Sequence, residues 1–444
     1  MKLQNRGSSR PKRRQAALFL LMVGVVPRST VAQVTEPLLP LPAPAARPQA
    51  PAAPGEPTTA GQSVTQRPRP EYDPLGLHLG SFFWFPRAEL GEAYNSNIFA
   101  TPIATSDFIT TLRPGFDLLS NFPRNAINLH AGAESQFYAR NPAQNTQDGF
   151  VNVDGRLDVT TGSAFYGSAQ YAHLYIPRTS VNSPGNAAEP VTYNDFKAQA
   201  GYRQGGRRFS YQTDLAVDAA QYNAVPLIGG GILPQSSQDT IISEAALRAN
   251  YELVPDYLGY IRVAGDLYDY YRSVSLNSKI YRADIGLQLL PRHIIYGEVY
   301  AGYLTQRFNV SNLGSTTVAD GGARLVWDVT RLTTLTLNGV RSFIPTNPTI
   351  GTIGSGYLAS VVTLTGDHEM LRNLLLKVNA GYENDSYQGV ARTDNIFTAG
   401  AGVRYLLNRN LFLGGTYTYQ RRTSSATGGD YIQNVLMLRL GTQF

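Results

Sequence analysis

From about residue 80 onward, polar and apolar side chains alternate with a period of two. In the run 244–252, Glu244, Arg248, Asn250 and Glu252 share one face, and Ala245, Leu247, Ala249 and Tyr251 share the other, as an extended strand requires. Arg262, Ala264 and Asp266 likewise oppose Ile261, Val263, Gly265 and Leu267. Asp320 and Arg324 oppose Leu325 and Trp327, and Lys377 and Glu383 oppose Val378 and Tyr382. A helix would repeat at three and four residues, which these runs do not do. Strands are expected near 82–95, 107–120, 126–139, 149–161, 163–177, 192–204, 207–221, 239–253, 256–271, 279–290, 293–306, 316–329, 331–343, 355–367, 370–384, 393–407, 410–422 and 431–444. Runs of roughly 12–15 residues exceed the mode of about 5–6 for globular strands.

Alternation alone would also suit a soluble β-sandwich; the connections separate the two. Tight ones (Thr161-Gly162, Gly205-Gly206, Pro255-Asp256, Pro291-Arg292, Asn408-Arg409) take turns with long ones (Asn97–Ser106, Thr179–Val191, Asn223–Gln238, Pro345–Gly354). Short turns at one end and long loops at the other characterise transmembrane barrels. The expected fold class is therefore all-β: a transmembrane antiparallel up-and-down β-barrel of about eighteen strands, with sixteen as the competing count because Pro86, Pro114 and residues 355–384 blur the boundaries. Such a barrel is wide enough for an aqueous lumen. On the last strand Leu436, Leu438, Leu440 and Phe444 share a face. A terminal Phe444 there resembles the assembly signal read by the barrel-assembly machinery of outer membranes.

The N-terminus follows different rules. Residues 1–32 carry seven basic side chains and no acid, and Ala16 to Val26 is an apolar stretch of 11 residues, too short to span a bilayer. With Thr30-Val31-Ala32 before Gln33, this reads as a cleaved secretory signal peptide. Of 38 basic residues, removing seven leaves 31 against 32 acids, a net charge of −1 rather than +6. No clustered basic face remains for nucleic acid. Residues 33–76 form a Pro- and Ala-rich stretch expected to be an extended, disordered periplasmic tether: a solvated spacer, or an arm that docks in the periplasm or enters the lumen. Residues 77–444 form the barrel.

Charged side chains cannot face lipid at mid-depth cheaply, so those on strands belong to the lumen. The candidate lumen-lining set is Arg156, Asp158, Lys197, Asp214, Asp218, Glu244, Arg248, Tyr260, Arg262, Asp266, Arg282, Asp284, Tyr296, Glu298, Tyr300, Asp320, Arg324, Lys377, Glu383, Arg404 and Arg439. The strand spacing puts Arg262 near Arg282 and Asp266 near Asp284, where wall salt bridges would form. The lumen tyrosines suit contact with sugar rings or simple wall packing. Outward Tyr202, Tyr211, Tyr251, Tyr303, Tyr382, Tyr405, Tyr417 and Tyr419 suit interfacial girdles.

Nothing points to an enzyme, a cofactor or a metal. The chain has no Cys, and His78, His130, His173, His293 and His368 are scattered without metal-ligand spacing. Gly229-Gly230-Gly231 precedes no helix and cradles no phosphate. The apolar centre of Asn223–Gln238, Leu227 to Leu233, marks it as the loop expected to fold inward if one constricts the pore.

Arg67-Pro68-Arg69-Pro70-Glu71-Tyr72-Asp73-Pro74-Leu75-Gly76-Leu77, followed by Gly80-Ser81-Phe82, Phe85-Pro86 and Glu92-Ala93-Tyr94-Asn95-Ser96-Asn97-Ile98-Phe99-Ala100, resembles the start of the barrel in the bacterial family called putative β-barrel porin 2. The resemblance implies an outer-membrane pore without catalytic residues, often associated with capsule or exopolysaccharide production, and so a passive conduit for polysaccharide export. Outer-membrane lipid, the assembly machinery and periplasmic polysaccharide-export components are the implied partners. The alternatives are a general small-solute diffusion porin and a plugged structural barrel.

Overall fold

The computed structural model describes residues 63–64, 67–310, 315–348, 350 and 354–444. The expected signal peptide and most of the tether fall outside the described residues. The rest is a closed antiparallel barrel of 18 strands. In chain order these are β1 (Phe82–Asn95), β2 (Asp107–Ser120), β3 (Ala126–Tyr138), β4 (Thr146–Thr160), β5 (Ser163–Tyr175), β6 (Thr192–Gly205), β7 (Phe209–Tyr222), β8 (Thr240–Val254) and β9 (Tyr257–Tyr270). They continue as β10 (Ser278–Leu289), β11 (Ile295–Phe308), β12 (Ser315–Thr330), β13 (Thr333–Pro345), β14 (Gly356–Leu371), β15 (Leu374–Gln388), β16 (Thr393–Leu406), β17 (Leu411–Ser424) and β18 (Tyr431–Gln443).

Each strand pairs with its neighbours in sequence, and β1 pairs with β18 from Arg87↔Gln443 to Asn95↔Val435. Closure satisfies every strand's backbone without an edge, as hydrocarbon demands. At about 3.4 Å per residue and a tilt near 40°, strands of this length cover the apolar thickness of a membrane. The descending strands β4, β8, β12 and β14 each shift register by one residue just before a two-residue turn. Such bulges let a tight turn follow the strand twist. The expected turn near 368–369 lies instead at Arg372-Asn373, because β14 and β15 continue pairing to Leu371↔Leu374.

The two faces differ as lipid and water require. Exposed Leu90, Leu157, Leu215, Ile261, Ile285, Val362 and Leu438 belong to one face. On it, Phe165 and Tyr202 meet at 4.8 Å and Tyr202 and Tyr211 at 6.0 Å near the short turns, while Tyr94 and Phe108 meet at 5.3 Å near the long loops. These are two aromatic girdles. On the other face, side chains meet across an intervening strand, as Tyr166 of β5 donates to Asp214 of β7. Only the concave side of a barrel permits that, so this face lines the lumen.

Candidate functional site

The wall of the lumen is built on glycines. Tyr166, Tyr260, Tyr300 and Phe412 stand directly opposite Gly201, Gly286, Gly322 and Gly441 on the adjoining strands. A Cβ at Gly286 would come within 2.3 Å of the Tyr260 ring, and one at Gly441 within 2.0 Å of Phe412. Each ring therefore lies flat against bare backbone. Guanidinium groups cover three of them: Arg248 at 3.6 Å over Tyr260, Arg262 at 5.2 Å over Tyr300 and Arg404 at 3.9 Å over Phe412. Glycine, ring and arginine make a layered wall held by packing and cation–π attraction.

Ion pairs tie these layers together. Arg248 of β8 donates to Glu298 of β11 at 2.9 Å and to Gln288 of β10 at 2.9 Å. Arg262 stands opposite Asp284 and donates to it at 2.6 Å, while Arg282 meets Asp320 of β12 at 2.9 Å. The expected proximity of Arg262 to Arg282 and of Asp266 to Asp284 is corrected by the register, which sets them two and four residues apart. β9 and β10 pair Arg262 with Asp284 and Asp266 with Ile280. Opposite charges thus sit face to face, the favourable arrangement for a cross-strand pair.

The remaining sequence-derived residues occupy the same face around the ring. Arg156 pairs with Asp158 at 3.0 Å, and Lys197 with Asp195 at 2.9 Å and Asp218 at 3.5 Å. Asp214 accepts from Tyr166 and Gln212, and Glu244 lies opposite Ala216 and Asp266. Tyr296 is buried, and Arg324 is exposed to the lumen with Asn338 at 3.3 Å. Lys377 is opposite Asp367 and Glu383 is two residues from Asp385. Arg404 reaches Gln443 at 3.4 Å, and Arg439 reaches Glu89 at 3.4 Å. Phe444 donates its backbone N–H to the Pro86 carbonyl at 3.1 Å beside the closing seam.

A second polar cluster was not singled out from the sequence. His130 holds Asp117 at 2.5 Å through Nδ1 and Asp154 at 2.9 Å through Nε2, with Arg87 also on Asp117. Arg113 binds Glu134 at 2.7 Å nearby. The signal that could have found it is the face parity of β1 to β4, which places these residues together. Among the described residues no group of three or more His, Asp or Glu forms a metal site.

The outer opening is crossed by a loop. Residues 176–191, between β5 and β6, close at their base through Ile176 N–H to Val191 O at 2.7 Å. Their middle reaches β13 and β14, half-way round the ring. There Asn182 accepts from Asn347 N–H at 2.9 Å and donates to Pro345 O at 3.4 Å. Val181 packs beside Ile344, Tyr357 and Tyr387. Arg422 of β17 donates to Thr179 O at 3.2 Å, and Arg178 donates to Gln144 at 2.9 Å. The loop Asn223–Gln238, expected to be the inward one, comes in beside it: its buried Gln235 accepts from Asn347 Nδ2 at 3.0 Å, and only its apolar tip stays outside. Its short hairpin (Val225–Pro226 with Ile232–Leu233) bridges Ala187, and its apolar tip points outward, with Ile228 70% and Ile232 72% exposed. At that tip Gly229, Gly230 and Gly231 all take positive φ, a conformation that glycine adopts without strain.

At the other opening, residues 63–64 and 67–73 run along the inner rim. Arg69 donates to Glu369 at 2.9 Å and to Val64 O at 2.7 Å, with both charged side chains 4% exposed. Val64 N–H donates to Thr334 at 3.2 Å, Arg67 faces Asp328 at 3.7 Å, and Arg409 donates to Pro70 O at 2.7 Å. The described end of the tether is thus strapped to β12, β13, β14 and the β16–β17 turn.

No curated protein matches the chain. Solved structures share distant likeness. The outer membrane protein opdK from Pseudomonas aeruginosa is 12% identical, with 81% of this chain and 99% of that chain covered and a TM-score of 0.41. Acinetobacter baumannii OccAB3 is 10% identical, with coverage of 82% and 100% and a TM-score of 0.43. A BenF-like porin from Pseudomonas fluorescens Pf-5 is 10% identical, with coverage of 81% and 99% and a TM-score of 0.44. The family described as Putative beta-barrel porin 2 matches residues 69–444, from the strapped arginine through the last strand, and this chain is a member of it, an outer-membrane β-barrel of porin type.

Proposed function

We propose that the protein is a non-enzymatic diffusion channel for small polar solutes, narrowed at its outer opening by the loop 176–191. The crossing of that loop to the far wall carries this reading, because a pinned chain across the mouth divides the opening. The mixed-sign, paired wall suits uncharged or zwitterionic solutes, since no single sign dominates it. A polysaccharide conduit, with periplasmic export components as partners, is the reading implied by the family resemblance. It has less support, because a threading polymer needs an uninterrupted mouth. The strap at the inner rim and the loop at the outer one together favour, as a second reading, a barrel that conducts only when one of them moves.

Planar-bilayer conductance and liposome swelling of the purified chain test these readings. Steady conductance with swelling in small sugars, unaffected by added polysaccharide, is the expected result. Large steps blocked by polysaccharide would overturn it in favour of the export conduit. Silence from a folded barrel, relieved by shortening the loop, would favour the closed reading.

A further inference from the structure

On the lipid-facing side of β10 and β11, Lys279 and Arg307 stand directly opposite each other. Both are exposed. Lys279 is the second residue of β10 and Arg307 the last but one of β11, so the pair lies at the long-loop end of the wall. Exposed Tyr281 and Tyr303 share the face just beneath them, marking the level of the membrane interface. Arg272, exposed in the adjoining loop 271–277, adds a third positive charge at the same rim.

Like charges directly opposite on an antiparallel pair repel, and an anion between them relieves that repulsion. Among the described residues neither Lys279 nor Arg307 forms an ion pair. Asp269 is the acid closest by register: Lys279 pairs with Leu267, which puts Asp269 on the diagonal, already hydrogen-bonded by Asn277 at 3.4 Å. The lumen arginines Arg248, Arg262 and Arg282, by contrast, each hold a carboxylate. An anionic headgroup at the membrane surface can supply the opposite charge that the wall does not.

We propose that Lys279, Arg307 and Arg272 bind the phosphate of a phosphorylated lipid in the outward-facing leaflet of the outer membrane. The open wall gives a free ion nothing to enclose it, whereas a lipid's acyl chains would lie along the apolar face below and deliver the phosphate at the depth of the two cations. Charge complementarity and membrane depth together select this occupant over a soluble anion.

The full chain, folded in detergent micelles, would be titrated with bisphosphorylated lipid A and with its dephosphorylated form, with binding read by native mass spectrometry. The phosphorylated lipid is expected to bind more tightly, and the double variant Lys279→Ala with Arg307→Ala to lose about thirty-fold in affinity, as two basic groups near an anionic lipid would predict. The charge-preserving pair Lys279→Arg with Arg307→Lys should retain binding, which separates loss of the site from loss of the fold. Equal binding of the dephosphorylated lipid, an unaffected double variant, or full competition by inorganic phosphate at equal concentration would each overturn the proposal. So would a variant that changes the oligomeric state while lipid binding stays the same, since the pair would then serve a second copy of the chain.

Discussion

A tyrosine can lie flat on the inner wall of a barrel only where the facing residue has no side chain. At Gly286, a methyl group would meet the far end of the Tyr260 ring at 2.3 Å, so the ring must lift into the lumen and carry Arg248 with it. Gly286→Ala is expected to destabilise by about 1–3 kcal/mol, as overpacking does, and to lower single-channel conductance. Gly381 also faces the lumen, but a Cβ there would find only ordinary contacts beginning at 3.6 Å. Gly381→Ala should leave conductance and stability unchanged, and equal behaviour of the two variants would refute the layered wall. The alternation of residues exposes the tyrosines as inward-facing, yet nothing in it says that each ring rests on a glycine. That depends on which residue of the next strand stands opposite, and one step of register changes every partner.

Elements at the two openings can be tested separately. Shortening the loop 176–191 by removing residues 179–186 should raise conductance, because it removes Asn182 and Val181 from the far wall. Removing residues 228–231 from the neighbouring hairpin should change conductance little, since that tip projects outward. The reverse pattern, seen in planar bilayers, would restore the glycine-containing loop as the constriction. At the inner rim, Glu369→Ala leaves Arg69 buried without its carboxylate, a loss of about 3–5 kcal/mol for a buried pair. The strap should then become open to proteolysis near Arg67 and Arg69 while the barrel band on gels persists. Resistance equal to that of the parent would mean that other contacts hold the strap. Apolarity marked the loop Asn223–Gln238 as the inward one, but its apolar tip is exposed, and it reaches Asn347 through the polar Gln235, as the loop 176–191 does through Asn182. The crossing loop is anchored by asparagines and by backbone groups, which carry little sequence signal.

For the whole molecule, many of the wall's charges meet an opposite charge across the ring. Arg248 with Glu298, Arg262 with Asp284 and Arg282 with Asp320 each cancel locally. The channel is therefore expected to be weakly ion-selective, with a reversal potential close to zero in a potassium chloride gradient. A strongly cation- or anion-selective potential would show that unpaired groups such as Arg324 dominate the path.

Fold class, strand order and the alternate facing of side chains follow from the sequence by itself, which left the strand number between eighteen and sixteen. In hydrocarbon every backbone group needs a partner, and a period of two leaves a closed antiparallel barrel as the arrangement that supplies it. Eighteen runs of alternation became 18 strands, nearly all with ends within a few residues of their expected places. Tertiary structure alone decided what meets across the lumen: Arg248 reaching over two strands to Glu298, Asn182 meeting Asn347 on the opposite wall, and Arg69 buried against Glu369. Those contacts join residues far apart in the chain through the curvature and closure of the wall. Periodicity reports only how a residue sits relative to its own strand, so it is blind to them.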